Sequence, residues 1–455
     1  MKETTRSDPA ISRRRFLQGA GAGLAALQIV PAHVLGAPHG EAPSDKLHVA
    51  CIGVGGRGRA SVDACRGQNI VALCDVDDRQ AADAYKTYPK AEKFRDFRKM
   101  LDRLEKSIDA VTVGIPDHTH AVAALDALRR EKHVYCEKPL AHSIGEIRAL
   151  MKAAREHKVV TQLGNQGHSF DTIRSFCEWV WDGAIGEVTE VHACCDAFRE
   201  VYCQIDKLPR LAEKHEVPAG LDYDLWVGPA AFRPYSPLWV PWNWRGWMPF
   251  GSGCIGDWIC HVVDPSFWAL DLGAPTTIRA EVKGYDPKKH ADVYPAGVKI
   301  TYRFPAKGKR GPVKLIWFDG SERVPRPEQM DPGQQPPGTG AVVYGDKGVI
   351  VHGSHGAGGV RLIPDKRMRE YKQPEKKLPR IPDHHWDWLE AIRTNRQAGS
   401  SFEYGGPLTE IALLGAIAIR FPEQELNWDA EQMRFTNLAE ANACVAPPFR
   451  EGWKL

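Results

Sequence analysis

From Leu47 to Val54 the chain reads LHVACIGV, a nearly unbroken apolar run. Such a run predicts a parallel strand buried on both faces, because a strand with one wet face would alternate. Further runs follow at Ile70–Cys74, Asp109–Ile115, His133–Cys136 and Val159–Leu163, with helical spacing over Thr119–Arg130 and Ser143–Glu156. Strands alternating with helices predict a doubly wound parallel sheet, a Rossmann domain over 46–167. Past Gln166 the pattern changes. Phe170–Asp182 reads as a helix, Glu187–Cys194 as a strand, and an irregular stretch runs to about Ser252. Strand-like runs at Thr277–Lys283, Val298–Phe304, Val313–Phe318 and Val349–His352 have no helices between them. They predict an open, mainly antiparallel sheet in a second, α+β domain over 168–455, carrying an insertion at about 195–250.

The first 37 residues follow a different logic. Ser12-Arg13-Arg14-Arg15-Phe16-Leu17 precedes a Gly/Ala-rich, weakly apolar run to Val30 and small residues at Gly36-Ala37. This is the twin-arginine export pattern, so a signal peptide over 1–37, the export machinery as partner and a periplasmic or otherwise exported location are expected. The run is too short and Gly-rich to persist as a membrane span after processing. Removing its five basic and two acidic residues from the totals of 60 and 57 leaves 55 of each. A chain without net charge or a basic run gives no electrostatic case for nucleic acid, and small neutral substrates fit better. Eleven cysteines without a Cys-x-x-Cys motif suit a protein exported already folded, whose thiols pack as small apolar groups.

Chemistry concentrates where the predicted strands end. Gly53-x-Gly55-x-x-Gly58 opens the first helix, where glycines permit a tight turn, backbone approach to a pyrophosphate and close helix packing. The second strand ends at Asp75, about 20 residues on, where a carboxylate can accept both ribose hydroxyls of the adenosine. Its charge favours NAD; Arg57 and Arg79 keep NADP open as an alternative. Three polar clusters then fall at three strand ends: Pro116-Asp117-His118-Thr119-His120, Glu137-Lys138-Pro139 and Gly164-Asn165-Gln166. Asp257 and His261 are four apart, on one face of a helix, a spacing that also fits a simple surface contact. Trp239, Trp242, Trp244 and Trp247 lie within nine residues, with Asn243 and Arg245 among them. They can stack on a sugar ring or form a minor core.

The stretch DAVTVGIPDHTHAVAALDALRREKHVYCEKPLAHS resembles the Gfo/Idh/MocA oxidoreductases, which include glucose–fructose oxidoreductase and inositol dehydrogenase. The resemblance covers nearly all of the chain after the leader. It implies that the segment with Pro116, Asp117 and His120 and the segment with Glu137 and Lys138 flank the nicotinamide. Lys138 would touch both cofactor ribose and substrate hydroxyl, and Pro139 would follow a cis peptide bond. It also implies that Asp257 and His261 belong to a helix beside the nicotinamide, with His261 taking a proton, Asp257 supporting it and Lys138 stabilising an alkoxide. The sheet of the second domain would cover the substrate and pair subunits into a homo-oligomer. Asn165 and Gln166 are expected at the cofactor, and His168, Trp242, Arg245 and Trp247 at the substrate. The chain departs from the simplest family pattern at Asn165-Gln166-Gly167-His168, where many members carry an arginine.

These readings imply an exported NAD(P)-dependent oxidoreductase moving hydride between a tightly held nicotinamide cofactor and a sugar, cyclitol or related polyol. The alternatives are a glycosidase or lyase working through a transient keto-sugar, and a sugar-binding protein without chemistry. No metal is expected, and His352, His355, His384 and His385 read as structural or surface residues.

Overall fold

In the computed structural model, residues 45–455 are described; the expected leader and its twin arginines lie outside them. The apolar runs form a parallel sheet of β1 (His48–Ile52), β2 (Asn69–Cys74), β3 (Glu92–Phe94), β4 (Ala110–Val113), β5 (His133–Cys136) and β6 (Thr161–Leu163). Their order is β3-β2-β1-β4-β5-β6, so the winding reverses between β1 and β4. A crevice opens beyond the carboxyl ends of strands at such a reversal. β3 has only three residues, none of them buried, and no apolar run announces it. The helix after β4 spans Asp117–Arg129 and is Ala-rich, with eleven of its thirteen residues buried between the sheet and its neighbours. The next, Ile144–His157, starts with Ser143 and Glu146 capping each other's backbone amides.

The second sheet contains β7 (Val188–Cys195), β8 (Thr277–Lys283), β9 (Gly297–Phe304), β10 (Val313–Gly320), β11 (Thr339–Gly345), β12 (Gly348–Gly353), β13 (Arg361–Ile363), β14 (Glu425–Asp429) and β15 (Arg434–Phe435). Their order is β13-β12-β11-β7-β10-β9-β8-β14-β15, with β7 and β10 the parallel neighbours and the other pairs antiparallel. Val324 and Met330 cover apolar residues of one face, among them Ile316, Phe318, Val342 and Val351. Against the sheet lies a 19-residue helix, Phe402–Arg420, which the apolar spacing alone did not single out. Its glycines allow close approach: a Cβ at Gly405 would lie 2.8 Å from Leu163, and one at Gly415 would lie 2.1 Å from the Tyr302 hydroxyl. This helix therefore joins the end of β6 to β9 and to the Gly253–Val262 helix, whose Ile255 it also touches.

The insertion has a core of its own, with Tyr223, Trp226, Trp239, Trp244, Trp247 and Phe250 packed together. Nine of the eleven cysteines are buried, as expected for thiols used as packing. Among the described residues no helix is long and apolar enough to cross a membrane.

Candidate active site

The crevice at the sheet reversal is a cleft of about 1260 Å³, its open mouth included, lined from both domains. Gly53, at φ +77°, turns out of β1; a Cβ there would lie 2.3 Å from the Gly114 carbonyl oxygen. Gly58 packs as expected, with a Cβ position 2.2 Å from the Gly53 carbonyl oxygen. Gly55 is crowded by Gln80, so packing explains it too. The residue that leaves open space is Gly56, at φ +48°, which the motif had passed over. The helix Gly56–Ala64 has no side-chain cap and no acid in its first turn, which leaves its amides free to face an anion in the cleft.

Asp75 lies on the cleft wall and accepts the amides of Val54 (2.9 Å) and Asp77 (3.0 Å). Burial pushes its carboxyl up against the pull of those bonds. Arg79 is held by Asp77 through two bonds of 2.7–2.8 Å and does not line the cleft. Arg57 is engaged by Glu137 (2.9 Å) and Gln166 (3.2 Å), tying together the ends of β1, β5 and β6. Neither expected arginine is therefore directed at a 2′-phosphate; Arg95, paired with Asp78, is the arginine on that wall. The second oxygen of Glu137 is buried without a partner, an acceptor left for a donor in the cleft. A dinucleotide thus fits the residues present: an open glycine cradle, a carboxylate for ribose and an unpaired acceptor.

Pro116 lines the cleft and precedes the Asp117–Arg129 helix. Asp117 accepts the Ser252 amide (3.0 Å), linking that helix to the Gly253–Val262 helix. Burial and the nearby Asp257 raise its carboxyl to about 6. His120 reaches the cleft, yet both its ring nitrogens face main-chain oxygens, of Pro139 and Ile115, at 2.7 Å. It lines the cleft while holding two strand ends together, so both ring nitrogens are already engaged. His118 faces the carbonyls of Phe250 and Trp226 in the same way, against the insertion.

Lys138, preceding a cis bond to Pro139, pairs with Asp257 on the cleft wall. Asp257 also accepts from the Tyr202 hydroxyl and lies 3.4 Å from the Arg245 Nε. Burial alone would raise its carboxyl, but Lys138 and Arg245 hold it well below the usual carboxylate range. Both oxygens are thus occupied, and Asp257 does not orient His261. His261 lies outside the cleft lining and stacks on His355 with ring centres 4.1 Å apart. Its Nδ1 is buried without a partner, and burial, then Lys138 and His355, hold the ring neutral. His355 packs against His261 and Trp258 without lining the cleft, His384 bonds the Leu163 carbonyl and His385 stacks on Tyr135.

Two strand-end residues turn away from the cleft. Asn165 donates to Asp264 (3.0 Å) and accepts from Ser400 (2.7 Å), and His168 bonds Asp264 (3.2 Å) and stacks on Trp268. Asp264 gathers both side chains inward, so the expected cofactor contact of Asn165 and substrate contact of His168 are corrected; Gln166 acts through Arg57. Trp242 and Arg245 line the cleft, the guanidinium 4.1 Å from the centre of the Trp242 ring. Trp247 does not: it is buried in the insertion core and donates to the Leu238 carbonyl (3.1 Å), which corrects its substrate assignment. Trp244, one of the clustered tryptophans, lines the cleft as well; sequence reasoning missed Tyr202, Trp226 and Trp453, which the fold brings to the site from distant positions and which no local spacing marks.

Residues 47–165 match the Gfo/Idh/MocA profile described as an oxidoreductase family, NAD-binding Rossmann fold. Residues 206–321 match that family's C-terminal alpha/beta domain, and the two together span more than half of the chain. Levoglucosan dehydrogenase of Pseudarthrobacter phenanthrenivorans is 24% identical over 244 residues, 53% of this chain and 52% of that protein. Inositol 2-dehydrogenase of Rubrobacter xylanophilus is 35% identical over 119 residues, 25% of this chain and 33% of that protein. The 2,7-anhydro-N-acetylneuraminate hydratase of Escherichia coli K12 is 32% identical over 94 residues, 20% of this chain and 25% of that protein. The chain thus spans about half or less of the length of these curated relatives. Levoglucosan dehydrogenase solved with NADH and levoglucosan shares the fold, with a TM-score of 0.54 at 18% identity over 84% of this chain and 99% of that one. So does an inositol dehydrogenase homologue of Azotobacter vinelandii solved with NADH and myo-inositol, with a TM-score of 0.54 at 14% identity over 84% and 98%.

Proposed function

Because the chain belongs to the Gfo/Idh/MocA oxidoreductases, an NAD-binding family, we propose that it transfers hydride between a tightly held nicotinamide dinucleotide and a hydroxyl-bearing carbon of a sugar, cyclitol or related polyol. The observation that carries this reading is the Lys138–Asp257 pair on the wall of the same cleft as the glycine turn and Asp75. The nicotinamide, when bound, supplies the hydride acceptor or donor. Lys138 donates to the substrate oxygen and stabilises its developing charge, and Asp257 fixes the ammonium. His261, held neutral behind the cleft lining, receives the hydroxyl proton by relay and not by direct contact as the carbinol becomes a carbonyl. Trp242, half exposed beside Arg245, offers an apolar face and a cation to a polyol. The names of the levoglucosan and inositol dehydrogenases support this substrate class.

Export through the twin-arginine route, to the periplasm or beyond, and self-association are parts of the same proposal. Nicotinamide dinucleotides do not cross membranes freely, so an exported enzyme would carry its cofactor and reuse it. The test is mass spectrometry of small molecules released from the denatured, purified protein. NAD(H) or NADP(H), with a retained polyol where one survives, is expected; no dinucleotide, together with no binding of added dinucleotide, sinks the reading. The hydratase among the relatives favours a second reading, in which hydride is taken and returned around an elimination or addition. Aglycone release from a glycoside without accumulation of reduced cofactor would select it.

A further inference from the structure

The adenosine end of the cleft is not walled by the Rossmann domain alone. Leu225 and Trp226 of the insertion, and Trp453 from the other end of the sequence, line the same cleft as Asp75, Gln80 and Phe97. Arg450 pins the segment that carries Trp453. Its amide donates to the Pro229 carbonyl (2.9 Å), and its guanidinium donates to the Gly228 carbonyl (3.0 Å) and to the Asp224 carboxylate (2.6 Å). Arg98, outside the cleft lining, lies over the indole at 4.5 Å, and the Phe97 ring is 6.3 Å away. The insertion in turn is sewn to the end of β2. The Asp78 amide donates to the Gly220 carbonyl (3.0 Å), and the Asp222 amide donates to the Val76 carbonyl (2.8 Å). The Asp222 side chain then caps the Tyr223–Val227 helix that carries Leu225 and Trp226. Both covers are thus anchored beside Asp75, the residue expected to hold the adenosine ribose.

We propose that Trp453 is a binding residue for the adenosine half of the dinucleotide, and that the segment 446–455 and the stretch 220–227 form a cover that must lift before the dinucleotide leaves. The inference rests on the nicotinamide-binding reading above. A purine presents a π face on which an indole stacks, and loss of such a stack weakens binding by about ten- to hundredfold. A pinned cover also slows exit, and this gives tight retention a structural cause.

The test is the release rate of bound NADH, followed by loss of its fluorescence on dilution into excess NAD⁺. Wild-type protein and the Trp453→Phe variant, which keeps an aromatic face, are expected to release slowly and at similar rates. Trp453→Ala is expected to release about ten- to hundredfold faster. Native circular dichroism of Trp453→Phe guards against a folding defect at this position. Release from Trp453→Ala at the wild-type rate overturns the inference while leaving the nicotinamide reading intact. A wild-type protein that binds no dinucleotide overturns both.

Discussion

Lys138 and Arg245 hold the buried Asp257 carboxyl ionised, and turnover should fall steeply when either member of the Lys138–Asp257 pair is altered. Asp257→Asn keeps the shape and two hydrogen-bonding atoms but removes the anion that balances Lys138 and Arg245. A loss in kcat of about 10²- to 10⁴-fold is expected, with wild-type dinucleotide content measured on the same preparation. Equal turnover would remove Asp257 from the machinery. Asp117 gives a different signal. Its carboxyl is raised to about 6, above the unfolded value of about 3.9, so the folded state binds more protons between those values. The cost of ionising it is absent below about pH 4 and complete above about pH 6, where it is on the order of 2–3 kcal/mol. Asp117→Asn should therefore gain on the wild type by about 1–2 kcal/mol between pH 5 and pH 8, measured by denaturant unfolding. An unchanged difference would contradict a buried, repelled carboxylate. At this scale the sequence was informative where position alone decides, since a polar residue at a strand end of a doubly wound sheet falls beside the crevice. It misled at Asn165 and His168, because Asp264, a hundred residues away, draws both inward.

Four tryptophans with the same local surroundings end in different places, and the insertion decides which. Trp247 is buried against Trp239 and donates to a carbonyl, while Trp242 is half exposed on the cleft wall. Trp247→Ala should therefore cost about 3–5 kcal/mol of stability, as for other buried aromatics. Trp242→Ala should stay within about 0.5 kcal/mol of wild type and instead raise KM. Thermal unfolding with steady-state kinetics separates the two outcomes, and a reversed pattern would mean that the insertion core is misassigned. Spacing could not make this distinction, because the partners Tyr223 and Phe250 flank the cluster at different distances and the chain between them has no regular period. The long helix Phe402–Arg420 went unnoticed for a related reason. It is buried on most sides, so its apolar residues carry no amphipathic stripe, and its glycines, which serve close packing, weaken the helical signature.

For the whole molecule the question is when the dinucleotide enters. The cleft draws its wall from the ends of β1 to β5, the insertion, Asp257 and Trp453, so its wall is complete only once segments far apart in the sequence have packed together. If export follows the twin-arginine route, folding and loading both precede it, and the compartment outside need not contain the dinucleotide. Protein recovered from the periplasm should then carry close to one dinucleotide per chain, and Arg13→Lys with Arg14→Lys should leave a loaded protein in the cytoplasm. Replacing residues 1–37 with a leader for unfolded export separates loading from translocation. The same mature chain should then arrive folded but empty, regain bound dinucleotide when NAD is added to the extract, and retain it on dialysis. Equal dinucleotide content by either route would mean that the cofactor is acquired outside, and the link between the leader and the covered cleft would be lost.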